Sequence, residues 1–425
     1  MGIELIIIVV LASCFGFYMA WNIGANDVAN AMGTSVGSGA LTLKKAIIVA
    51  AIFEFAGAFL VGSHVTETVR KGIIDLSIFT NMENGANILL YGMLASLLAA
   101  GAWLQIATYF GWPVSTTHSI VGAVVGFGLI AGGAAGVNWI KVGTIVMSWV
   151  ISPLLSGTIA FIVFFIIHRT MINVPNSVQS TKKWSPIYIF LVFAILTLVT
   201  LFKGLKNLNL DLSLQGSLII AIGIGFFASM IGWILINRIV VAETSESSQF
   251  VEKVFTYLQI MSACFVAFAH GANDVANAIG PLAAVFALAR GGTEALVAKT
   301  PVPIWILGLG GAGIVVGLSM WGWRVIETIG KKITELTPTR GFAAEFAAAT
   351  TIVLASRLSI PISTTHTLVG GVLGVGLARG LDSLNFRAIR EIVTSWIVTL
   401  PAGAGMSIVF FLIIKAVLGN FVGIG

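Results

Sequence analysis

From Gly143 to Ile167 the chain runs twenty-five residues without a charged side chain. As a helix rising 1.5 Å per residue, that stretch covers about 37 Å, more than the roughly 30 Å of a bilayer's hydrocarbon core. Ile47–Val61 and Ile392–Leu418 are similarly apolar. Hydrocarbon supplies no water to satisfy the backbone, so such runs fold as helices unless they close into a barrel. The apolar–polar alternation of a barrel is absent. Only 9% of the 425 residues are charged, and mean hydropathy is +1.01. Soluble domains are about 25% charged. The chain therefore reads as an all-α integral membrane protein.

Twelve apolar segments are expected. Five lie near 3–23, 45–66, 88–110, 116–135 and 140–167. Two follow near 187–202 and 216–237. Five more lie near 254–280, 302–323, 342–358, 364–379 and 391–418. The net charge of +6 belongs to loop Lys and Arg that orient the chain. No basic patch is interleaved with aromatic residues, so nucleic acid is not an expected partner. Cys14 and Cys264 lie in apolar segments and read as buried free thiols. Leu-Ala-Ser-Cys at 11–14 resembles a lipoprotein cleavage box. However, the first residues carry Glu4 and no Lys or Arg, so the first segment reads as a retained helix.

Inside these apolar stretches the chain repeats itself. Gly-Ala-Asn-Asp-Val-Ala-Asn-Ala at 24–31 returns unchanged at 271–278, and Pro-Val-Ser-Thr-Thr-His-Ser at 113–119 returns as Pro-Ile-Ser-Thr-Thr-His-Thr at 361–367. The offsets are 247 and 248 residues. Two motifs at nearly one offset indicate two homologous units. The expected division is 1–167 for the first repeat, 168–250 for a linker with a two-helix insert, and 251–425 for the second. Seven segments precede the second unit, so it enters the membrane from the opposite side. The repeats are then inverted, a plan common among secondary transporters. Treating each Ser-Thr-Thr-His pair as a re-entrant hairpin preserves that parity. Lys44, Lys45, Lys182, Lys183, Lys331 and Lys332 fall in loops that this layout places in the cytoplasm. Both termini are then expected outside the plasma (inner) membrane.

The octet carries chemistry suited to a cation. Asn26, Asp27 and Asn30 share a helix face, as do Asn273, Asp274 and Asn277. A carboxylate at membrane depth is costly and usually faces a cavity or a partner. Carboxylate and amide oxygens suit a hard cation, aided by backbone carbonyls expected to be freed near Gly24 and Gly271. The bland alternative is a small-residue helix seam. The second motif suits an anion. Proline ends the preceding helix, and Ser115 and Ser363 are natural N-caps for the next. Helix N-termini bind anions. Inversion would point two such ends at each other, lined by Ser115, Thr116, Thr117, Ser363, Thr364 and Thr365. That set suits a tetrahedral oxyanion. Glu54 and Glu345 are intramembrane carboxylates able to bind a cation or relay a proton. Gln105, His118 and His366 are supporting candidates that either bind or orient.

At these residues the chain resembles the PiT family of inorganic phosphate transporters, over nearly its whole length. The resemblance implies sodium- or proton-driven phosphate uptake, inverted repeats and a homodimer in the lipid bilayer. The family's essential aspartates fall on Asp27 and Asp274, its essential glutamates on Glu54 and Glu345, and its hairpin histidine on His366. The short 168–186 and 238–253 linkers resemble the compact prokaryotic form.

The expected activity is sodium-coupled phosphate symport, with sodium as coupling ion, no other cofactor and no enzymatic chemistry. Sodium is assigned to Asn26, Asp27, Asn273 and Asp274, and phosphate to the six hairpin hydroxyls. Alternatives are a proton-coupled phosphate or sulfate permease, a passive anion channel, and an intramembrane aspartyl protease using two buried Asp. A serine-protease pairing of Ser115 with His118 has poor geometry, three residues apart on one helix.

Overall fold

The structure is a computed structural model. It describes residues 3–62, 72–204, 213–239, 247–297, 302–357 and 362–421. Thirteen helices of sixteen residues or more make up these regions, with no strand beyond a single Ile74–Val137 bridge. They are α1 (Ile3–Gly37), α2 (Leu43–Val61), α3 (Gly85–Tyr109), α4 (Thr116–Gly132) and α5 (Trp139–Ile167). The insert supplies α6 (Ser177–Val199) and α7 (Leu214–Asn237). Then come α8 (Ser247–Asp274), α9 (Ala276–Val297), α10 (Ile304–Trp321), α11 (Pro338–Arg357), α12 (Thr364–Arg379) and α13 (Phe386–Phe421).

The helix starts follow from capping chemistry. Thr42, Asn138, Asn176 and Ser213 each accept the main-chain N–H three residues on, satisfying a donor the helix cannot. Among the described residues, eight helical spans are long and apolar enough to cross a membrane, α8 and α9 counting together as one. α4 and α12 are not among them: 17 and 16 residues long, they reach about 25 Å. Each pairs with the helix before it, α3 or α11, as a hairpin.

The two halves interlock. α1 packs along α10, and α8 along α2; α4 lies on α13, and α12 on α5. Each partner comes from the other half of the chain. Gly24 makes the first crossing possible, because a Cβ there would strike the Ile314 backbone. Gly271 does the same against the Glu54 backbone. Such close approach is how small residues hold membrane helices together. The insert joins through α6, which packs on α8 and α11, while α7 packs chiefly on α6.

Several expectations change. The first segment does not end near residue 23; α1 continues to Gly37. Its helix passes through Gly24 unbroken, so no carbonyls are released there. Gly24 and Gly271 serve the helix seam instead. In the second copy the break lies at Val275, between α8 and α9. Cys14 and Cys264 are free thiols, but Cys14 is exposed on the outer surface of α1 and Cys264 is half-buried. Residues 63–66 of the second expected segment, and Pro361 of the second hairpin motif, lie outside the described residues.

Candidate functional site

The unbroken α1 carries Asn26, Asp27 and Asn30 into the interior, each at most 3% exposed. A carboxylate placed there needs partners, and the hairpins supply them. Asp27 Oδ2 accepts Thr116 Oγ1 at 2.7 Å, and Asp27 Oδ1 accepts Thr365 Oγ1 at 3.4 Å. One carboxylate thus touches both Ser-Thr-Thr-His hairpins. Asn30 Nδ2 donates to Thr365 Oγ1 at 2.8 Å. The second copy reaches the opposite way: Asn277 Nδ2 donates to Thr116 Oγ1 at 3.3 Å and to Thr117 Oγ1 at 3.2 Å. Asp274 accepts Thr364 Oγ1 at 3.4 Å and Asn273 Nδ2 at 2.6 Å.

The hairpin serines are N-caps. Ser115 Oγ accepts His118 N at 3.3 Å, and Ser363 Oγ accepts His366 N at 3.2 Å. Both serines are extended, with φ near −85°, as the position requires. The hydroxyls of Thr116, Thr364 and Thr365 at these helix starts converge on the two aspartates.

Asn26 behaves differently from the rest. Its Nδ2 donates to Thr108 Oγ1 and the Trp112 carbonyl, both at 3.0 Å, and its Oδ1 accepts Val114 N at 3.1 Å. The amide tethers α1 to the loop that positions Ser115. Gln105 accepts Tyr18 OH on the α1–α3 seam. Tyr18 precedes Asp27 by nine residues, about 13 Å along the helix, so Gln105 is not gathered into the cluster. His118 and His366 stand behind the hairpin starts. Their rings meet edge-on at 4.8 Å, His118 packs on Trp149, and His366 stacks on Trp396 at 3.7 Å. They wedge the two hairpins together.

Sequence reasoning did not single out His270. Its Nε2 lies 2.9 Å from Asp274 Oδ2 and 3.5 Å from Asp27 Oδ2, and its Nδ1 lies 3.4 Å from Glu54 Oε1. Asp27, His270 and Asp274 offer ligand atoms within 4.8 Å of one another. The available signal was an ionisable residue directly before the octet, where the first copy has Ile23. Glu54 and Glu345 are both buried, but they separate. Glu54 faces His270, and neither of its oxygens has a hydrogen-bond donor among the described residues. Glu345 sits in a donor cage. Thr34 and Ser35 reach its Oε1 at 2.5 and 3.0 Å, Gln259 Nε2 reaches it at 3.3 Å, and Ser262 Oγ bonds to Oε2. A cavity of about 30 Å³ touches Asn30, His270, Asn273, Glu345 and Thr364.

Electrostatics sets what this arrangement can do. Among the described residues, Asp27, Asp274 and Glu54 bring three carboxylates to the single imidazole of His270. Buried carboxylates are costly unless paired, and ligand atoms this close together suit a bound cation. The oxygens of Asp27, Asp274, Thr116, Thr364 and Thr365 are hard donors appropriate to one.

Known proteins resemble this chain over nearly its whole length. A family model described as "Phosphate transporter family" matches residues 23–407. "Inorganic phosphate transporter 2-1, chloroplastic" of Arabidopsis thaliana is 47% identical over 435 residues, covering 95% of this chain and 72% of that protein. A solved structure described as "The sodium-dependent phosphate transporter" has a TM-score of 0.84 and 42% identity, covering 96% of this chain and 99% of that one.

Proposed function

The chain belongs to the phosphate transporter family, a membrane transporter and not an enzyme, and from that premise we propose that it couples inward phosphate movement to sodium. One observation carries the reading: Asp27 and Asp274, from opposite halves, converge with hydroxyls of both hairpins. Sodium binds at Asp27 and Asp274, with Asn273 adjoining and Asn26 holding the loop. Phosphate binds at the helix starts, using Ser115, Thr116, Thr117, Ser363, Thr364 and Thr365. Hydroxyl and main-chain donors hold it without a fixed cation that would resist release.

A bound cation lowers the electrostatic penalty of placing a doubly charged anion in a low-dielectric cavity. The two ligands then bind cooperatively. The repeats are inverted, and rocking one against the other opens the shared site to each side in turn. The interlocked packing supports this, since each hairpin packs on a helix of the other half. The sodium dependence by which the solved relative is described supports the choice of ion. Both termini lie outside the plasma membrane, and the transporter is a homodimer.

The deciding experiment is labelled-phosphate uptake into proteoliposomes. A sodium gradient is set against a sodium-free pH gradient, with excess sulfate as competitor. Uptake that requires sodium and ignores sulfate is expected. Uptake driven by protons alone would shift coupling to the His270–Glu54 pair or Glu345. Strong sulfate competition would change the substrate and leave the site standing.

A further inference from the structure

On the lipid-facing side of the insert, α6 and α7 leave a groove against α8 of about 680 Å³. Phe193, Ile224, Phe227, Ile231, Val254 and Met261 form most of its wall. Gly232 lets α7 lie close against α6 at the groove's floor, because a Cβ there would press on the Ile189 side chain. α7 turns Phe226, Phe227, Trp233 and Leu235 outward, each more than half exposed. In a membrane that face meets acyl chains.

Among the described residues, one end of the groove is basic. Lys253, near the start of α8, is the one charged residue in its lining. Lys182 Nζ donates to the Ile239 carbonyl at 2.7 Å, and Ile239 lines the same groove. Arg238 directly precedes it and is exposed. None of the three makes an ion pair among the described residues. The adjacent carboxylate, Glu252, turns away to accept Thr339 N and Oγ1, each at 2.9 Å.

We propose that this groove binds one anionic phospholipid. Its acyl chains lie between α6, α7 and α8, and its phosphate is held by Lys253, Lys182 and Arg238. A free oxyanion would gain nothing from the apolar body of the groove. A zwitterionic headgroup would bring its own ammonium against three cations. Basic clusters at the end of transmembrane helices select anionic headgroups for this reason. The occupant also bears on transport, because α6 brings Leu196 and Val199 to the cavity beside Asn30 and Glu345.

The test uses the full chain solubilised from vesicles of equimolar phosphatidylglycerol and phosphatidylcholine, with retained lipid read by native mass spectrometry. One phosphatidylglycerol per protomer is expected in preference to phosphatidylcholine. Lys253→Gln should weaken that preference about fivefold, the equivalent of roughly 1 kcal/mol per cation. Adding Lys182→Gln should bring the loss to about thirtyfold. Lys415→Gln, at an exposed lysine on α13, should change nothing. Ala228→Trp should fill the groove and release both lipids while the protein stays monodisperse. Equal retention of the two lipids, or a preference that survives the double substitution, overturns the proposal. So does self-crosslinking of Ile231→Cys in a Cys14→Ser, Cys264→Ser background, which would seat a second copy in the groove.

Discussion

Asp27 and Asp274 lie 247 residues apart in the chain and meet at one atom, Nε2 of His270, at 3.5 and 2.9 Å. Each also accepts a threonine hydroxyl from a hairpin helix start. The Asn-Asp motif and the Ser-Thr-Thr-His motif are therefore in direct contact. A change of charge at the aspartates must be felt at the hairpins.

Neutralising both aspartates separates coupling from folding. Asp27→Asn with Asp274→Asn keeps the side-chain shape and one acceptor oxygen each, but removes two negative charges. Sodium-driven uptake should fall at least tenfold, about 1.4 kcal/mol or more. Proteoliposome uptake against sodium concentration reads the loss, with size-exclusion behaviour as the folding control. Intact driven uptake would remove the aspartates from the sodium site.

Sodium should stabilise the protein, and most of all where His270 is lost. A ligand at a hundred times its dissociation constant adds about 2.7 kcal/mol. Thermal unfolding in sodium against choline should show that rise. His270→Leu leaves Asp27, Asp274 and Glu54 facing one another, so its melting temperature should drop in choline and recover more steeply with sodium. Equal slopes for the two proteins would disconnect His270 from the ion.

Thr365→Val tests the crossing between halves. It strips a donor from Asp27 and an acceptor from Asn30, leaving a buried amide unpaired at about 1–3 kcal/mol. Phosphate uptake should fall tenfold or more, while Ser319→Ala, whose hydroxyl bonds within its own helix, stays near wild type.

Glu345→Ala should act on stability as well as transport. It orphans donors from Thr34, Ser35, Gln259 and Ser262 in the interior. Glu345→Gln keeps an acceptor and should lose less. A melting-temperature series with Glu345→Ala below Glu345→Gln is expected; the reverse order would mean that the cage binds the charge alone.

The glycine seam is testable by size. Gly271→Val would drive a side chain into the Glu54 backbone and should abolish monodisperse protein. Gly143→Ala, where a Cβ meets open space, should be silent. Fluorescence-detected size exclusion distinguishes them.

Much of this molecule is written locally. Charge-free runs dictate membrane helices because an unpaired backbone cannot persist in hydrocarbon. The Ser-Thr-Thr-His strings dictate helix starts because a capping hydroxyl acts within three residues. The two-copy spacing showed that the motifs belong together, and the family resemblance supplied their transport role. Contacts across the fold were not legible. Gly24 serves a seam with Ile314, Asn26 holds a loop, and Gln105 pairs with Tyr18. His270 gains its place only when α8 crosses α2 beside Glu54 and lies against α1. Helix propensity and capping depend on residues a turn apart, so sequence determines them. The meeting of three carboxylates on one imidazole depends on how two interlocked halves cross, and only their packing fixes that.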